Sequence, residues 1–339
     1  MTQHHGNAPS PISNLRRGTT RVRDEMHLTG GLRSHRAGSG WMIGPFSAPQ
    51  GLGEIGEVPD SGVARIAAEL GVMAFGVEEI SETDPNLPSR IWRPLFGLPQ
   101  LKHQPADTWG MITSSAHRGG DPAFAMLARY ISISIRSAGL QLRNASNEYH
   151  RQLFAALSSG QSVGRRFSNV PLSDLHLSFH SLLSEMGSTR DYLAQMAARR
   201  VNAPTKIDAL NRLTDWLGKR ANASAASDPL IAALLQAIDT SGPDPWLHDV
   251  GEYRNLFLHR EPLGANDHAR WLKLTEASSR YGLVLQLTLE IGLRPGNPQT
   301  CDGLSRFVDL HDQLCRLADF AATLAPFPAE PPAFVAIGD

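Results

Sequence analysis

Three side chains within one short segment have the chemistry needed to act on a phosphate ester. Arg254, Asn255 and His259 lie in the stretch Tyr-Arg-Asn-Leu-Phe-Leu-His-Arg that begins at Tyr253. A guanidinium group binds phosphate oxygens through paired N–H donors, and an imidazole gains or loses a proton near neutral pH. The combination predicts a site that cleaves a phosphodiester without a metal.

The residues around this stretch predict a short helix that positions it. Asp244-Pro245 is typical of a helix start, and Pro262-Leu263-Gly264 is typical of a stop. On such a helix Asn255 and His259 share a face, because they are four residues apart. Arg254 and His259 would lie about 140° apart around the helix axis. His259 would also lie near the helix C-terminus, where partial negative charge favours the imidazolium form.

The segment resembles the HEPN superfamily, whose signature is an arginine followed, after four to six residues, by a histidine. An asparagine often follows that arginine, and the match here is Arg254-Asn255-Leu256-Phe257-Leu258-His259. The resemblance implies a helical bundle over roughly residues 120 to 325, with the motif on a late helix. Many members are metal-independent ribonucleases that act as dimers, often as toxins or in phage defence. Others are noncatalytic binding modules.

The resemblance also implies a role for each residue of the motif. His259 would take the proton of the ribose 2′-hydroxyl or protonate the departing 5′-oxygen. Arg254 would hold the scissile phosphate and its developing charge, and Asn255 would orient the imidazole or the phosphate. Because one histidine cannot readily serve as both base and acid, a homodimer would bring two motifs to one cleft. The expected partners are RNA, a second copy and an antitoxin or sensor protein, with no membrane, metal or other cofactor.

Two other matches to the same spacing show that the bare pattern is weak. They pair Arg143 with His150 and Arg306 with His311. The match at Arg254 is favoured because an asparagine follows it and because amphipathic helices precede a bounded helix. The Arg306 match has apolar neighbours at core positions, which predicts a surface or interface position for its histidine. The alternative to an enzyme is a noncatalytic helical module that binds RNA or a protein partner.

Further side chains are candidates for RNA contacts or for supporting the motif. Those for RNA contacts are Tyr253, Arg260, Arg136 and Arg143, and the supporting candidate is Glu185. The tyrosine and the second arginine flank the motif, and packing or solvent exposure is the alternative for both. Glu185 lies on an amphipathic helix, where it would orient Arg254 or His259, or else be an exposed surface carboxylate.

Arginines also recur at seven-residue intervals from Arg129 through Arg136 to Arg143, which places them on one stripe of a helix. Residues 118–166 carry seven arginines against two acids, a local charge of +5. Residues 54–84 carry eight acids against one arginine, a local charge of −7. The stripe could follow an RNA backbone, be solvated, or meet this acidic segment.

The composition is that of a chain with a substantial core, since 41% of its 339 residues are hydrophobic. No apolar run approaches the ~18 residues of a membrane span, and the N-terminus lacks the apolar stretch of a secretory signal. The two cysteines, Cys301 and Cys315, predict no disulfide framework and fit a reducing cytoplasm. The net charge of −1 argues against a bulk nonspecific nucleic-acid binder but allows a local basic groove.

The chain is predicted to be mainly α, a HEPN-like helical bundle with an inserted β-hairpin and an irregular N-terminal region. The expected regions are a flexible tail (1–40), a Gly/Pro-rich mixed region of unknown role (41–118), the HEPN-like helical domain (119–325) and a C-terminal tail (326–339). The hairpin is predicted because leucines alternate with other residues over 283–290. A single helix from Asp267 to Ile291 is the alternative.

Overall fold

A six-stranded antiparallel sheet occupies the N-terminal part of the chain. The computed structural model describes residues 21–37, 40–45, 55–82, 89–94, 104–169, 172–260, 271–280, 282–294 and 299–331. The strands are β1 (Arg21–Leu28), β2 (Arg33–Ala37), β3 (Gly40–Gly44), β4 (Ile55–Val58), β5 (Ala74–Glu82) and β6 (Ser89–Pro94). Their order across the sheet is β4-β3-β2-β1-β5-β6. Helix α1 (Val63–Glu69) precedes β5.

Seven further α-helices follow within the described ranges. They are α2 (Pro105–Arg118), α3 (Pro122–Ser158), α4 (Leu172–Arg200), α5 (Leu210–Leu217), α6 (Pro229–Ile238), α7 (Trp246–Asn255) and α8 (Gly303–Thr323). Two of them begin as expected at an Asp-Pro pair: Asp121 accepts a hydrogen bond from the amide of Phe124, and Asp228 accepts one from that of Leu230. None of the described helices combines the length and apolarity needed to cross a bilayer.

A second antiparallel sheet takes three of its strands from the chain between α7 and α8 and one from the chain between α3 and α4. It consists of β7 (Arg166–Phe167), β8 (Leu272–Ser279), β9 (Gly282–Gly292) and β10 (Thr300–Asp302), in the order β10-β9-β8-β7. Strands β8 and β9 form the predicted hairpin, which is confirmed, and the single-helix alternative is wrong. Leu285, Leu287 and Leu289 are buried in alternation with less buried residues, because successive side chains of a strand point to opposite faces.

The mainly α prediction is wrong, because the two sheets make this a mixed α/β fold. The tail expected over residues 1–40 contains β1 and β2, and only residues 1–20, 38 and 39 of it lie outside the described residues. The sequence does not predict β1 and β2 as strands, because β1 is rich in charged side chains and lacks a clear alternation of apolar ones. Glu25 of β1, for example, pairs with Arg33 of β2 at 2.9 Å. At the other end, residues 326–331 contain no helix or strand, although Phe327 packs against Phe124.

Both sheets pack on α3, and Asp302 marks the point where the second sheet, α3 and α8 meet. Its carboxylate accepts hydrogen bonds from the Tyr149 hydroxyl and the Leu289 amide, both at 3.0 Å. It also accepts one from the Ser305 amide at 2.9 Å and so caps α8. Burial raises the pKa of Asp302, and these hydrogen bonds act in the opposite direction.

Replacing Asp302 with alanine should lower the free energy of unfolding by about 2 to 4 kcal/mol, because a helix cap is lost and buried donors lose their acceptor. The measurement is the midpoint of urea unfolding, compared between variants in which the free energy of unfolding depends on urea concentration with the same slope. Asp208→Ala is the control, since Asp208 only forms an exposed pair with Arg212. Its cost should stay below about 1 kcal/mol. Equal losses in the two variants would contradict the role given to Asp302.

Candidate functional site

Two reciprocal arginine–glycine contacts join α4 to α7. A Cβ atom built on Gly187 of α4 would come within 2.8 Å of Arg254 Cδ, and one built on Gly251 of α7 would come within 2.7 Å of Arg190 Nη1. On α4 the glycine comes before the arginine, and their partners follow in the reverse order on α7, so the two helices run antiparallel here. The stem of Arg254 therefore lies directly against the backbone of α4, in space that only a glycine at position 187 leaves open.

The charge of Arg254 has no carboxylate partner among the described residues. Its Nε is buried and makes no hydrogen bond with any of them. The other arginine of the same helix pair differs, because Arg190 contacts Asp191 at 3.1 Å. An unpaired buried donor is costly unless something binds it. Arg254 is thus a fixed, partly buried cation with donors available to an anion.

The helix that carries the motif changes its geometry immediately after Asn255. Residues Leu256–Arg260 form a π-helical turn rather than the continuous α-helix predicted from the sequence. Such turns are closed by i→i+5 hydrogen bonds and are frequent at functional sites. The angle between Arg254 and His259 around the axis is therefore smaller than the ~140° of an α-helix.

Within this turn the side chains divide between core and surface. Phe257 is 2% exposed and packs edge-on against Phe307 and Phe179. His259 is exposed, and Asn255 is half-buried at the end of α7. The aromatic contacts anchor the turn, and His259 is left accessible to a ligand.

Helix α4 carries two histidines near this turn that are not part of the sequence motif. The His176 ring is almost parallel to Phe257, at 12° and 6.2 Å between centroids. His180 lies one turn further on, 6.1 Å from His176. Their i, i+4 spacing is visible in the sequence, but only the packing of α4 on the π-helical turn associates them with the motif.

The remaining motif neighbours do not favour RNA contacts. Tyr253 is buried, and its hydroxyl donates to the backbone carbonyls of Gly292 and Leu293, so it joins α7 to the end of β9. Desolvation raises the pKa of Tyr253 well above its usual value. For Tyr253, burial therefore supports the packing alternative over an RNA contact. The side chain of Arg260 lies outside what the structure describes.

Glu185 does not support the motif. It lies two residues before Gly187, which on an α-helix is about 200° away from the face that meets Arg254. Burial raises the pKa of Glu185, and a hydrogen bond that its carboxylate accepts from the Ser134 hydroxyl of α3 acts in the opposite direction. Both sequence interpretations of Glu185 are therefore wrong, because this carboxylate is a half-buried contact between α3 and α4.

The arginine stripe on α3 is not a continuous basic surface. Arg136 is exposed and paired with Asp107 at 2.8 Å. Arg143 is mostly buried and contacts Glu78 at 3.4 Å. Glu78 belongs to the acidic segment 54–84, so the interpretation of the stripe as a surface meeting that segment is confirmed at Arg143.

The two competing arginine–histidine matches are structural. His150 Nδ1 lies 2.8 Å from the carbonyl oxygen of Gly31, in the turn between β1 and β2. Arg306 donates to Asp249 at 2.6 Å. His311 is only 3% exposed, so the predicted surface or interface position is wrong. Neither match combines an arginine lacking a carboxylate with an accessible histidine.

No group of three or more histidine, cysteine or acidic side chains among the described residues could hold a metal ion. No protein-family model, curated protein or solved structure gives a significant match to the chain.

Acidification should destabilise the protein through its buried histidines. Burial lowers the pKa of His311 from the ordinary 6.5 to about 4, and burial with nearby arginines lowers that of His27. Between the pKa of a histidine in the unfolded chain and its lowered pKa in the folded chain, the unfolded chain binds protons that the folded chain does not. Stability therefore falls as the pH drops from about 6.5 towards 4. The shift in the pKa of His311 corresponds to about 3 to 4 kcal/mol.

The measurement is urea unfolding at about pH 7 and about pH 4.5 for the wild type and for His311→Leu. The wild type should lose more stability between the two than the variant. Buried carboxylates with a raised pKa, such as Asp302, make the folded state more stable as the pH falls, but this effect is the same in both proteins. Identical losses would show that His311 is not held neutral by the fold.

Proposed function

We propose that this chain is a metal-independent endoribonuclease whose site is Arg254, Asn255 and His259. The observation that carries the proposal is the partly buried Arg254 guanidinium, fixed over Gly187 without a carboxylate partner among the described residues. Exposed His259, in an unusual π-helical turn close by in sequence, supports it. The resemblance to the HEPN motif supplies the substrate class, RNA.

The reaction begins with attack of the ribose 2′-hydroxyl oxygen on phosphorus. A base accepts the hydroxyl proton, the bond to the 5′-oxygen breaks, and an acid protonates that oxygen. The products are a 2′,3′-cyclic phosphate and a free 5′-hydroxyl. Arg254 stabilises the charge that develops on the phosphoryl oxygens, and His259 carries one of the two protons. Asn255 orients the imidazole or the phosphate.

The second proton needs a second group, and the chain offers two sources. One is His259 of a second copy in a homodimer, as the resemblance implies. The other is an imidazole of α4: His176 stacks on Phe257 of the π-helical turn, and His180 lies 6.1 Å from His176. The biological setting, cytoplasmic defence or toxin action restrained by an antitoxin or sensor, rests on the analogy of the motif alone.

Removal of His259 should abolish cleavage. We expect wild-type protein in EDTA to cleave a pool of tRNA and mRNA, and His259→Ala to be slower by about 10²- to 10⁴-fold. The matched control is His248→Ala, which removes another exposed histidine, from α7. The measurement is the rate of appearance of 2′,3′-cyclic phosphate ends.

Equal rates for wild type and His259→Ala would place the activity elsewhere and overturn the proposal. The competing function, a noncatalytic module, predicts no cleavage by any variant and RNA binding that survives His259→Gln.

The position of Arg254 should matter as much as its charge. Gly187→Ala would push on Cδ of Arg254, in the middle of its stem, and displace the guanidinium. We expect cleavage to fall by roughly tenfold or more, since small displacements of a binding group cost rate. Gly251→Ala is the matched control on the same helix pair, because it meets only the flexible tip of Arg190. Similar rates in the two variants would contradict a positioned Arg254.

A further inference from the structure

A cavity of about 250 Å³ opens between the edge strand β6 and the helices α2, α3 and α8. Its polar lining consists of Arg90, Trp92, Gln104, Arg136 and His311. None of these residues takes part in the ribonuclease proposed above, so the cavity is a separate feature of the molecule.

Two ring nitrogens converge at the wall formed by Gly139. A Cβ atom built on this glycine would lie 3.7 Å from Trp92 Nε1 and 3.9 Å from His311 Nε2. A glycine inside an α-helix costs about 1 kcal/mol relative to alanine. The atom nearest to such a Cβ is Pro94 Cγ, at 3.2 Å, so Gly139 keeps the cavity wall clear beside Trp92 Nε1.

The Trp92 ring is held in place by its surroundings. A Cβ on Gly76 would overlap it, at 1.9 Å from Cη2, so the indole lies on the bare backbone of β5. The rings of His27 and Phe75 also pack against it, 4.8 and 6.2 Å away between centroids. Its Nε1 is buried and finds no hydrogen-bond partner among the described residues. A buried unsatisfied donor that faces a cavity indicates a ligand acceptor.

The charge of the cavity is positive. Arg90 and Arg136 both line it, and no lining residue is acidic. Each arginine uses one contact outside the lining, Arg90 to Glu78 at 3.2 Å and Arg136 to Asp107 at 2.8 Å. A guanidinium has five N–H donors, so both retain donors for a further acceptor.

We propose that this cavity binds a small organic anion. Its carboxylate or phosphate group contacts Arg90 and Arg136, and its apolar body lies against Ile91, Ile135 and Leu140. A hydrogen-bond acceptor of the ligand meets Trp92 Nε1. The volume restricts the ligand to a size below that of most drug-like molecules.

His311 contributes hydrogen bonding and not charge. Burial lowers its pKa to about 4, so the ring is neutral at neutral pH. One nitrogen then donates and the other accepts. Selectivity for an anion therefore comes from the two arginines.

The experiment follows the indole N–H signal of Trp92 in ¹⁵N–¹H spectra of the full chain, identified by its absence in Trp92→Phe. The probes are phenyl phosphate, benzoate and the uncharged benzyl alcohol. We expect a saturable shift of this signal with phenyl phosphate, benzoate or both, and none with benzyl alcohol. A response to one anion alone identifies the oxyanion that the site prefers.

Variants then test the assigned contacts by calorimetric titration with the anion that binds. Arg136→Gln, and the double variant with Arg90→Gln, should weaken binding by about tenfold or more. Arg129→Gln, seven residues earlier on α3 and outside the cavity lining, should leave it unchanged. The proposal is overturned if no probe gives a saturable shift, if benzyl alcohol binds equally well, or if the double variant binds like the wild type.

Discussion

A helix of 37 residues needs partners on several sides, and this requirement on α3 organises the molecule. At 1.5 Å per residue it is about 55 Å long. Its buried residues run from Phe124 to Leu157, and α2, α4, α8 and both sheets cover them. The sheets are thus not additions to a helical bundle. They bury the parts of α3 that the other helices leave open.

The parts of the fold that local chemistry determines could be predicted from the sequence. The caps at Asp121 and Asp228 and the alternating leucines of β9 each follow from neighbouring residues. The first sheet could not be predicted in this way, because its buried face is partly polar. His27 and Glu78, for example, are both fully buried and lie 3.6 Å apart. Such side chains look exposed in a sequence, since only distant partners satisfy them.

The candidate site shows the same division. The residue types and spacing of Arg254, Asn255 and His259 could be recognised from the sequence alone. The contact of Arg254 with Gly187 could not, because it joins helices separated by a long stretch of chain. The π-helical turn could not be predicted from the sequence either, because the aromatic side chains that pack against its Phe257 belong to α4 and α8. The burial of Tyr253 and the pairing of Arg143 with Glu78 likewise depend on tertiary neighbours.

Helix α8 completes contacts that begin far earlier in the chain, and this has a consequence for synthesis on the ribosome. Trp109 Nε1 donates to the carbonyl of Ala318, 209 residues later, at 2.9 Å. Translation at about 5 to 20 residues per second leaves roughly 10 to 40 s between the two. During that interval the apolar faces of α2 and α3 lack their cover. The nascent chain therefore exposes apolar surface on α2 and α3 that α8 covers in the finished protein.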